Sequence, residues 1–271
     1  MIAFESDEFA CRGPFDGVRD LQDLNKGAAT VSLTIADKTV LVTGANRGLG
    51  RALVDEAVRR GAKRVYAATR QPMVVQDERV TPLILDVTDP AQIQAAVGRV
   101  ESLDILINNA GVSVPDDLSD RSAFDQHLAV NLYGTLDVTQ AFVPSLTRSH
   151  GAVVNVVSLG AIAAVPVLPA YSVSKAASLS VTQSLRALLA GRGVSVFAVM
   201  PGPIDTDMVR ALDIPKTAPE DVARATLDGV ESGEEEIFPD QMSQLVAEGW
   251  RAGVSKELER QNAALVQPIA A

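Results

Sequence analysis

Tyr171 and Lys175 stand four residues apart in the run "YSVSK", where a helical pattern begins, so both side chains fall on one helix face. An ammonium beside a phenol favours the phenolate and draws down a pKa that is normally about 10. A tyrosine tuned in this way can give or take a proton at a carbonyl or alcohol oxygen. Ser158 precedes it by 13 residues, at the end of an expected strand, and offers a second hydroxyl to the same oxygen. A tyrosine–lysine pair at this spacing also decorates ordinary helix surfaces, so its meaning rests on the rest of the chain.

A second stretch carries binding chemistry. Val40 to Gly50, "VLVTGANRGLG", is a β-branched and leucine run, then a turn holding Gly44, Gly48 and Gly50, then the opening of a helix. The first N–H groups of a helix have no partner within it, and its dipole favours negative charge, so a strand feeding such a turn makes an anion site. Each glycine has a reason to lack a side chain: positive φ, close approach to a pyrophosphate, or packing of helix on strand. The ligand these features suit is a dinucleotide. A plain strand-to-helix turn is the alternative, since the spacing is G-x-x-x-G-x-G rather than the general fingerprint.

The next strand selects the nucleotide. An acid about 20 residues past the glycines holds a ribose 2′-hydroxyl, whereas an arginine there accommodates a 2′-phosphate. Thr69 and Arg70 occupy that place, with no acid until Asp77, and Arg47 within the glycine turn points to the same corner. Two guanidinium groups suit a phosphate, so NADP is expected rather than NAD.

These groups must be held by a substantial scaffold. The 271 residues are 47% hydrophobic and 21% charged, as in a globular protein, and the 4% aromatic share leaves the core to Ala, Val, Leu and Ile. A net charge of -10 opposes a nucleic-acid partner. One cysteine, Cys11, excludes an internal disulfide framework and fits a reducing cytoplasm. No apolar run is long enough to span a membrane, and the acidic N-terminus does not read as a secretory signal.

From Lys38 the chain alternates apolar runs with helical patterns. Strands are expected at Lys38–Thr43, Arg64–Thr69, Thr81–Leu85, Asp104–Ile107, Ala152–Val157, Val194–Val199 and Glu236–Phe238. Helices are expected at Gly48–Arg60, Ser122–Thr147, Tyr171–Ala190, Pro219–Ser232 and Gln241–Gly249. Continuous apolar strands separated by helices mean a parallel sheet covered on both faces, an α/β, Rossmann-like, doubly wound fold. Residues 1–33 form an N-terminal extension, either a loose tail or an arm docking Phe4, Phe9 and Phe15, and 34–271 a single domain. The acidic run before Glu236 is expected to be a solvated turn.

Several ordered motifs complete the picture: "TGANRGLG" at Thr43 to Gly50, Asp86-Val87, "NNAG" at Asn108 to Gly111, Val130-Asn131, Ser158, "YSVSK", and "PGPIDT" at Pro201 to Thr206. With these the chain resembles the short-chain dehydrogenase/reductase family along nearly all of residues 36 to 240. The resemblance implies that Tyr171 is the general acid/base, that Lys175 binds the nicotinamide ribose and lowers the tyrosine pKa, and that Ser158 orients the carbonyl. It implies that Asn131 holds a water linking Lys175 to solvent. Gly44, Asn46, Arg47, Gly48, Leu49 and Gly50 would cradle the cofactor, joined by Thr69 and Arg70. Asp86 and Val87 would touch adenine, and Asn109, Ala110 and Gly111 the adenosine ribose side. Pro201, Gly202, Ile204 and Thr206 would close over the nicotinamide and phosphates.

The implied reaction is hydride transfer between NADPH and a carbonyl or secondary alcohol. Leu159 to Ala170, nearly all apolar, is expected to wall the pocket, to pack as core, or both, which favours an apolar substrate. Met208 and Leu212 in the following flap are candidates to touch it. Family members commonly form homodimers or homotetramers through the helices at Ser122–Thr147 and Tyr171–Ala190. His127 and His150 have no ligand-spaced partner and no metal is expected. Trp250 is expected at a subunit contact or the surface. Competing readings are an NAD-dependent alcohol dehydrogenase and a nucleotide-sensing module without turnover, which the complete Ser158, Tyr171 and Lys175 set disfavours.

Overall fold

A computed structural model describes residues 33–210 and 213–266. The expectations for residues 1–32 and for Leu212 lie outside them.

Seven strands form one parallel sheet in the order β3-β2-β1-β4-β5-β6-β7. They are β1 (Thr39–Thr43), β2 (Arg64–Thr69), β3 (Val80–Ile84), β4 (Ile105–Asn108), β5 (Ala152–Val156), β6 (Ser195–Val199) and β7 (Glu236–Ile237). The helices are α1 (Gly48–Arg59), α2 (Pro90–Arg99), α3 (Arg121–His127), α4 (Thr135–Ser149), α5 (Pro169–Ala190), α6 (Pro219–Ser232), α7 (Gln241–Arg251) and α8 (Val254–Ala263). Alternate residues along each central strand serve opposite faces. Val40, Val42, Ile105 and Ile107 join Leu53 and Leu227 of α1 and α6 on one side. Leu41, Leu106 and Val153 join Ile93, Phe142 and Leu185 of α2, α4 and α5 on the other. Burial on both faces explains why these strands read as unbroken apolar runs.

The chain winds outward from β1 to β3, then crosses back so that β4 pairs with β1 on its other edge. Such a reversal is where open parallel sheets take ligands, at the carboxyl ends of the strands. Thr43 bolts its two sides together: its Oγ1 accepts the N–H groups of Asn109 and Ala110, each at 3.0 Å.

A polar ladder lies beneath β4 and β5. Asn108 Nδ2 donates to Thr139 Oγ1 and Asn155 Oδ1, each at 2.9 Å, and Asn155 Nδ2 donates to Thr182 Oγ1 at 2.9 Å. These bonds fix α4 and α5 to the two strands whose loops carry the site, while Asn108 Oδ1 is left buried without a hydrogen-bond partner.

Two local features depart from the sequence expectations. The helix expected at Ser122–Thr147 is interrupted by a π-helical stretch, Leu128–Gly134, between α3 and α4. Here Gly134 meets Val87 so closely that a Cβ on it would lie 2.7 Å from Val87 Cγ2. The acidic run before β7 is exposed but paired, not merely solvated: Glu234 bonds Arg251 and Glu235 bonds Lys256, while buried Glu236, within β7, bonds Lys256 and Arg186. Trp250, partly buried, packs against the apolar cluster that contains Phe238 and Ala247. Helix α8 adds Glu259 to the cluster, which fastens the last helix to α5 and β7.

Candidate active site

The glycine turn is shaped to admit a ligand. Gly44 has φ of +67°, and a Cβ on it would lie 2.9 Å from Ala110 Cα. The N-cap position of α1, Arg47, gives no side-chain hydrogen bond to the helix, so the first N–H groups of α1 remain available to an anion. Asn46 and Arg47 are exposed, Gly48 is half-buried, and Leu49 and Gly50 are buried beneath them. Gly44 and Gly50 let the turn close on Ala110 and Asn109, and its open helix N–H groups fit a dinucleotide diphosphate.

The remaining cofactor candidates sit around the same strand ends with distinct duties. Asn109 Nδ2 donates to Thr43 O at 3.0 Å and Gly44 O at 3.3 Å, so its amide braces the turn. Asp86 Oδ1 accepts from the N–H of Thr88 at 2.9 Å and its hydroxyl at 2.7 Å, while Val87 is buried against Gly134. Thr69 is buried and donates to Gln71 O at 2.5 Å, with Arg70 exposed beside it. Arg47 does not stand free for a phosphate: its Nη1 lies 2.5 Å from Asp207 Oδ2.

The segment after β6 folds back over the turn. Pro201 O accepts Leu159 N–H at 3.0 Å, and Gly202 N–H donates to Asp240 Oδ2 at 2.7 Å. Ile204 bridges to Thr217, and Thr206 Cγ2 would lie 3.0 Å from a Cβ on Gly48.

The reactive side chains converge on two glycines. A Cβ on Gly160 would lie 3.4 Å from Ser158 Oγ and 3.6 Å from Tyr171 Cε1. One on Gly111 would lie 3.3 Å from Asn131 Oδ1 and 3.8 Å from Lys175 Nζ. Ser158, at the end of β5, accepts Gly160 N–H at 3.0 Å, which fixes its hydroxyl. Gly111 follows Ala110, whose N–H is bound to Thr43, so the lysine stands next to the nucleotide turn.

The electrostatics differ from the simple pairing read in the sequence. Burial pushes the Tyr171 phenol up from its ordinary value, and the Ser158 hydroxyl beside it works in the opposite direction. Lys175 Nζ lies 5.7 Å from the phenol ring centroid and donates to Val156 O at 2.8 Å. Its own pKa is pushed down to about 8 by burial. In the chain alone, burial is the larger influence on the phenol, and it opposes the phenolate expected from the sequence.

Asn131 is buried in the π-helical stretch, and its side chain is heavily engaged. Its Nδ2 donates to Val112 O at 3.0 Å and Ser174 Oγ at 2.9 Å, and its Oδ1 accepts Val112 N–H at 2.8 Å. In the stretch from Leu159 to Ala170 the middle residues 162–167 are exposed, so that part is surface around the site rather than core. Met208 is also exposed.

Sequence reasoning missed three polar side chains here. His127 is fully buried, edge-on to the Tyr171 ring at 6.3 Å and 76°. Asp116 accepts the Ala170 N–H, 3.3 Å from each oxygen. Asp240, which holds Gly202, had a legible signal: it opens α7 with a capping box to Ser243.

A nucleotide-shaped turn at the reversal of a parallel sheet, with a serine, tyrosine and lysine at its edge, defines a dinucleotide-binding α/β protein. Residues 38–216 match the short chain dehydrogenase family, and the chain belongs to it. It is 34% identical over 199 residues to mouse (Mus musculus) estradiol 17-beta-dehydrogenase 2, covering 67% of this chain and 52% of that enzyme's length. Oxidoreductase UcpA of Escherichia coli (strain K12) is 32% identical over 193 residues, covering 66% of this chain and 73% of that protein. Among solved structures, a short chain dehydrogenase from Burkholderia cenocepacia J2315 in complex with NADP is 37% identical, with a TM-score of 0.78, covering 87% of this chain and all of that one (100%).

Proposed function

We propose that this protein is an NADP(H)-dependent oxidoreductase acting on the carbonyl or secondary alcohol group of an apolar small molecule. The observation that carries this reading is the approach of Ser158 and Tyr171 to one glycine, with Lys175 and Asn131 approaching another next to the nucleotide turn. The NADP complex of the Burkholderia relative supports the choice of nucleotide, as does exposed Arg70 after β2, with Arg47 to be drawn from Asp207.

When bound, the nicotinamide nucleotide supplies the hydride. The chain's residues supply position and protons. Gly44, Gly48 and Gly50 leave room for the diphosphate at the start of α1, and Thr206 and Ile204 close over it. Ser158, fixed by Gly160 N–H, offers its hydroxyl to the substrate oxygen. Tyr171 exchanges a proton with that oxygen, and its raised pKa keeps the proton on the phenol until a substrate oxygen receives it. Lys175 stands below, its ammonium easily discharged. Exposed Val114, Leu118, Ile162 and Val167 offer apolar contact on the loops beside Tyr171, and this supports an apolar substrate. The same reading takes the protein as a cytoplasmic homodimer or homotetramer, with exposed Val173 and Leu188 of α5 available to a second copy.

A panel of aldehydes, ketones and quinones, followed by nicotinamide absorbance, tests the activity. Tyr171→Phe is expected to lower kcat by at least about 100-fold while nucleotide fluorescence still reports binding. Near-normal turnover in that variant overturns the mechanism. Bound nucleotide with no turnover across the panel in the unaltered protein would favour a sensor instead.

A further inference from the structure

His127 does two things at once. Its Nδ1 lies 2.7 Å from Ala123 O, and its Nε2 lies 3.0 Å from the N–H of Val114. A ring nitrogen facing a carbonyl carries hydrogen and one facing an N–H does not, so these partners define a neutral imidazole protonated at Nδ1. The ring edge also meets Tyr171. Its place is the last turn of α3, immediately before the π-helical stretch that presents Asn131.

The segment that His127 holds runs on to the catalytic helix. Val112 exchanges two hydrogen bonds with Asn131, Val114 is bound by His127, and Asp116 receives the Ala170 N–H. Ala170 directly precedes Tyr171. Helix α5 starts with Pro169 and has no cap from its own N-cap side chain, so Asp116 meets a donor that the helix leaves open. Three alternate residues of one segment are thus tied to the asparagine, the histidine and the start of the tyrosine's helix.

The geometry points to His127 as a positioning residue for Tyr171, acting through its ring edge and through the bracket Val114–Asp116–Ala170. This rests on the proposed acid/base role of Tyr171. Without the imidazole acceptor, the Val114 N–H is orphaned, the bracket hangs by its ends, and the phenol loses the ring beside it. Proton transfer to a substrate oxygen tolerates little displacement, so the damage falls on the chemical step rather than on binding.

The test compares His127→Leu, which removes the acceptor, with His127→Gln, whose side-chain oxygen can accept from Val114. With the best carbonyl from the panel, the leucine variant is expected to lose ~10- to 100-fold in kcat. Its substrate KM should stay within about 3-fold, its NADPH affinity should hold, and its deuteride isotope effect should grow as hydride transfer becomes limiting. The glutamine variant recovers most of the kcat. An unchanged kcat in the leucine variant, equal losses in both variants, or a loss confined to KM overturns the inference. Should His127→Leu fail to fold, Asp116→Ala against Asp116→Asn probes the other end of the bracket, and equal kcat in those two overturns it. An inactive Tyr171→Phe beside a fully active His127→Leu removes this inference alone; an active Tyr171→Phe removes the role of Tyr171 as well.

Discussion

Arg47 of the glycine turn and Asp207 of the segment following β6 form an ion pair, 2.5 Å between Nη1 and Oδ2. Asp207 also bonds Arg210, so one carboxylate serves two guanidinium groups. A nucleotide 2′-phosphate that takes Arg47 must draw it away from Asp207. Both partners are well exposed, and exposed pairs contribute little, so the competition is mild. Asp207→Asn should therefore tighten NADP binding by no more than about 5-fold and leave NAD unaffected. Arg47→Ala and Arg70→Ala should each weaken NADP by about 10-fold and spare NAD. Titrating both nucleotides by fluorescence reads all three; indifference to the arginines would favour NAD use.

Lys175 makes stability depend on pH in a definite direction. Its folded pKa of about 8 lies below its ordinary value of 10.5, so between those values the unfolded chain binds more protons. Stability therefore rises with pH across that window, as the buried ammonium discharges. Tyr171, with its pKa raised, acts in the opposite sense, but from its ordinary value of 10.0 upward. Chemical denaturation of the cofactor-free protein should show a gain of about 2 kcal/mol from pH 7.5 to 10, relative to Lys175→Met measured in parallel. Parallel pH curves for the two proteins would refute it.

Lys256 sits 2.9 Å from Glu236 with both side chains 2% exposed, and Glu259 and Glu235 complete its surroundings. Removing one member leaves buried carboxylates short of a partner. Lys256→Met is expected to cost about 3 kcal/mol in urea unfolding. A loss below half that value would mean that Arg186 suffices for the cluster.

Two glycine-to-alanine changes should differ sharply. A Cβ on Gly50 would lie 2.2 Å from Gly44 O and 2.5 Å from Asn109 Nδ2, inside the nucleotide turn, whereas one on Gly98 meets nothing within 4 Å. Gly50→Ala should abolish nucleotide binding. Gly98→Ala, in helix α2, should raise stability by up to about 1 kcal/mol. Calorimetry with and without nucleotide checks both.

The sheet was legible because its strands are buried on both faces and carry unbroken apolar runs, with Arg64–Thr69 found at its true ends and the others within a residue or so. The reactive residues were legible because family motifs carried them. What escaped depends on tertiary partners. Nothing in "FDQHLAVNLYG" announces a π-helical stretch, since it arises where the helix passes Val87 and Asn131 bonds Val112. His127 lacked a ligand-spaced neighbour, and its partners are backbone groups that no side-chain pattern reveals. Spacing along a helix put Tyr171 and Lys175 on one face but reveals nothing of how much water surrounds the phenol, and it is burial that pushes the phenol up. The acid run before β7 looked solvated because Arg186 and Lys256 lie far from it in sequence.

The π-helical stretch gives the helix that holds it a spare residue. Excising one position between Leu128 and Gly134 would let α3 and α4 run together as regular helix, turning α3 by about 100° about the axis. His127 would swing away from the phenol while the sheet and its apolar faces stayed whole. A protein trimmed there is expected to melt cooperatively and yet be catalytically mute, its fault one of length rather than composition.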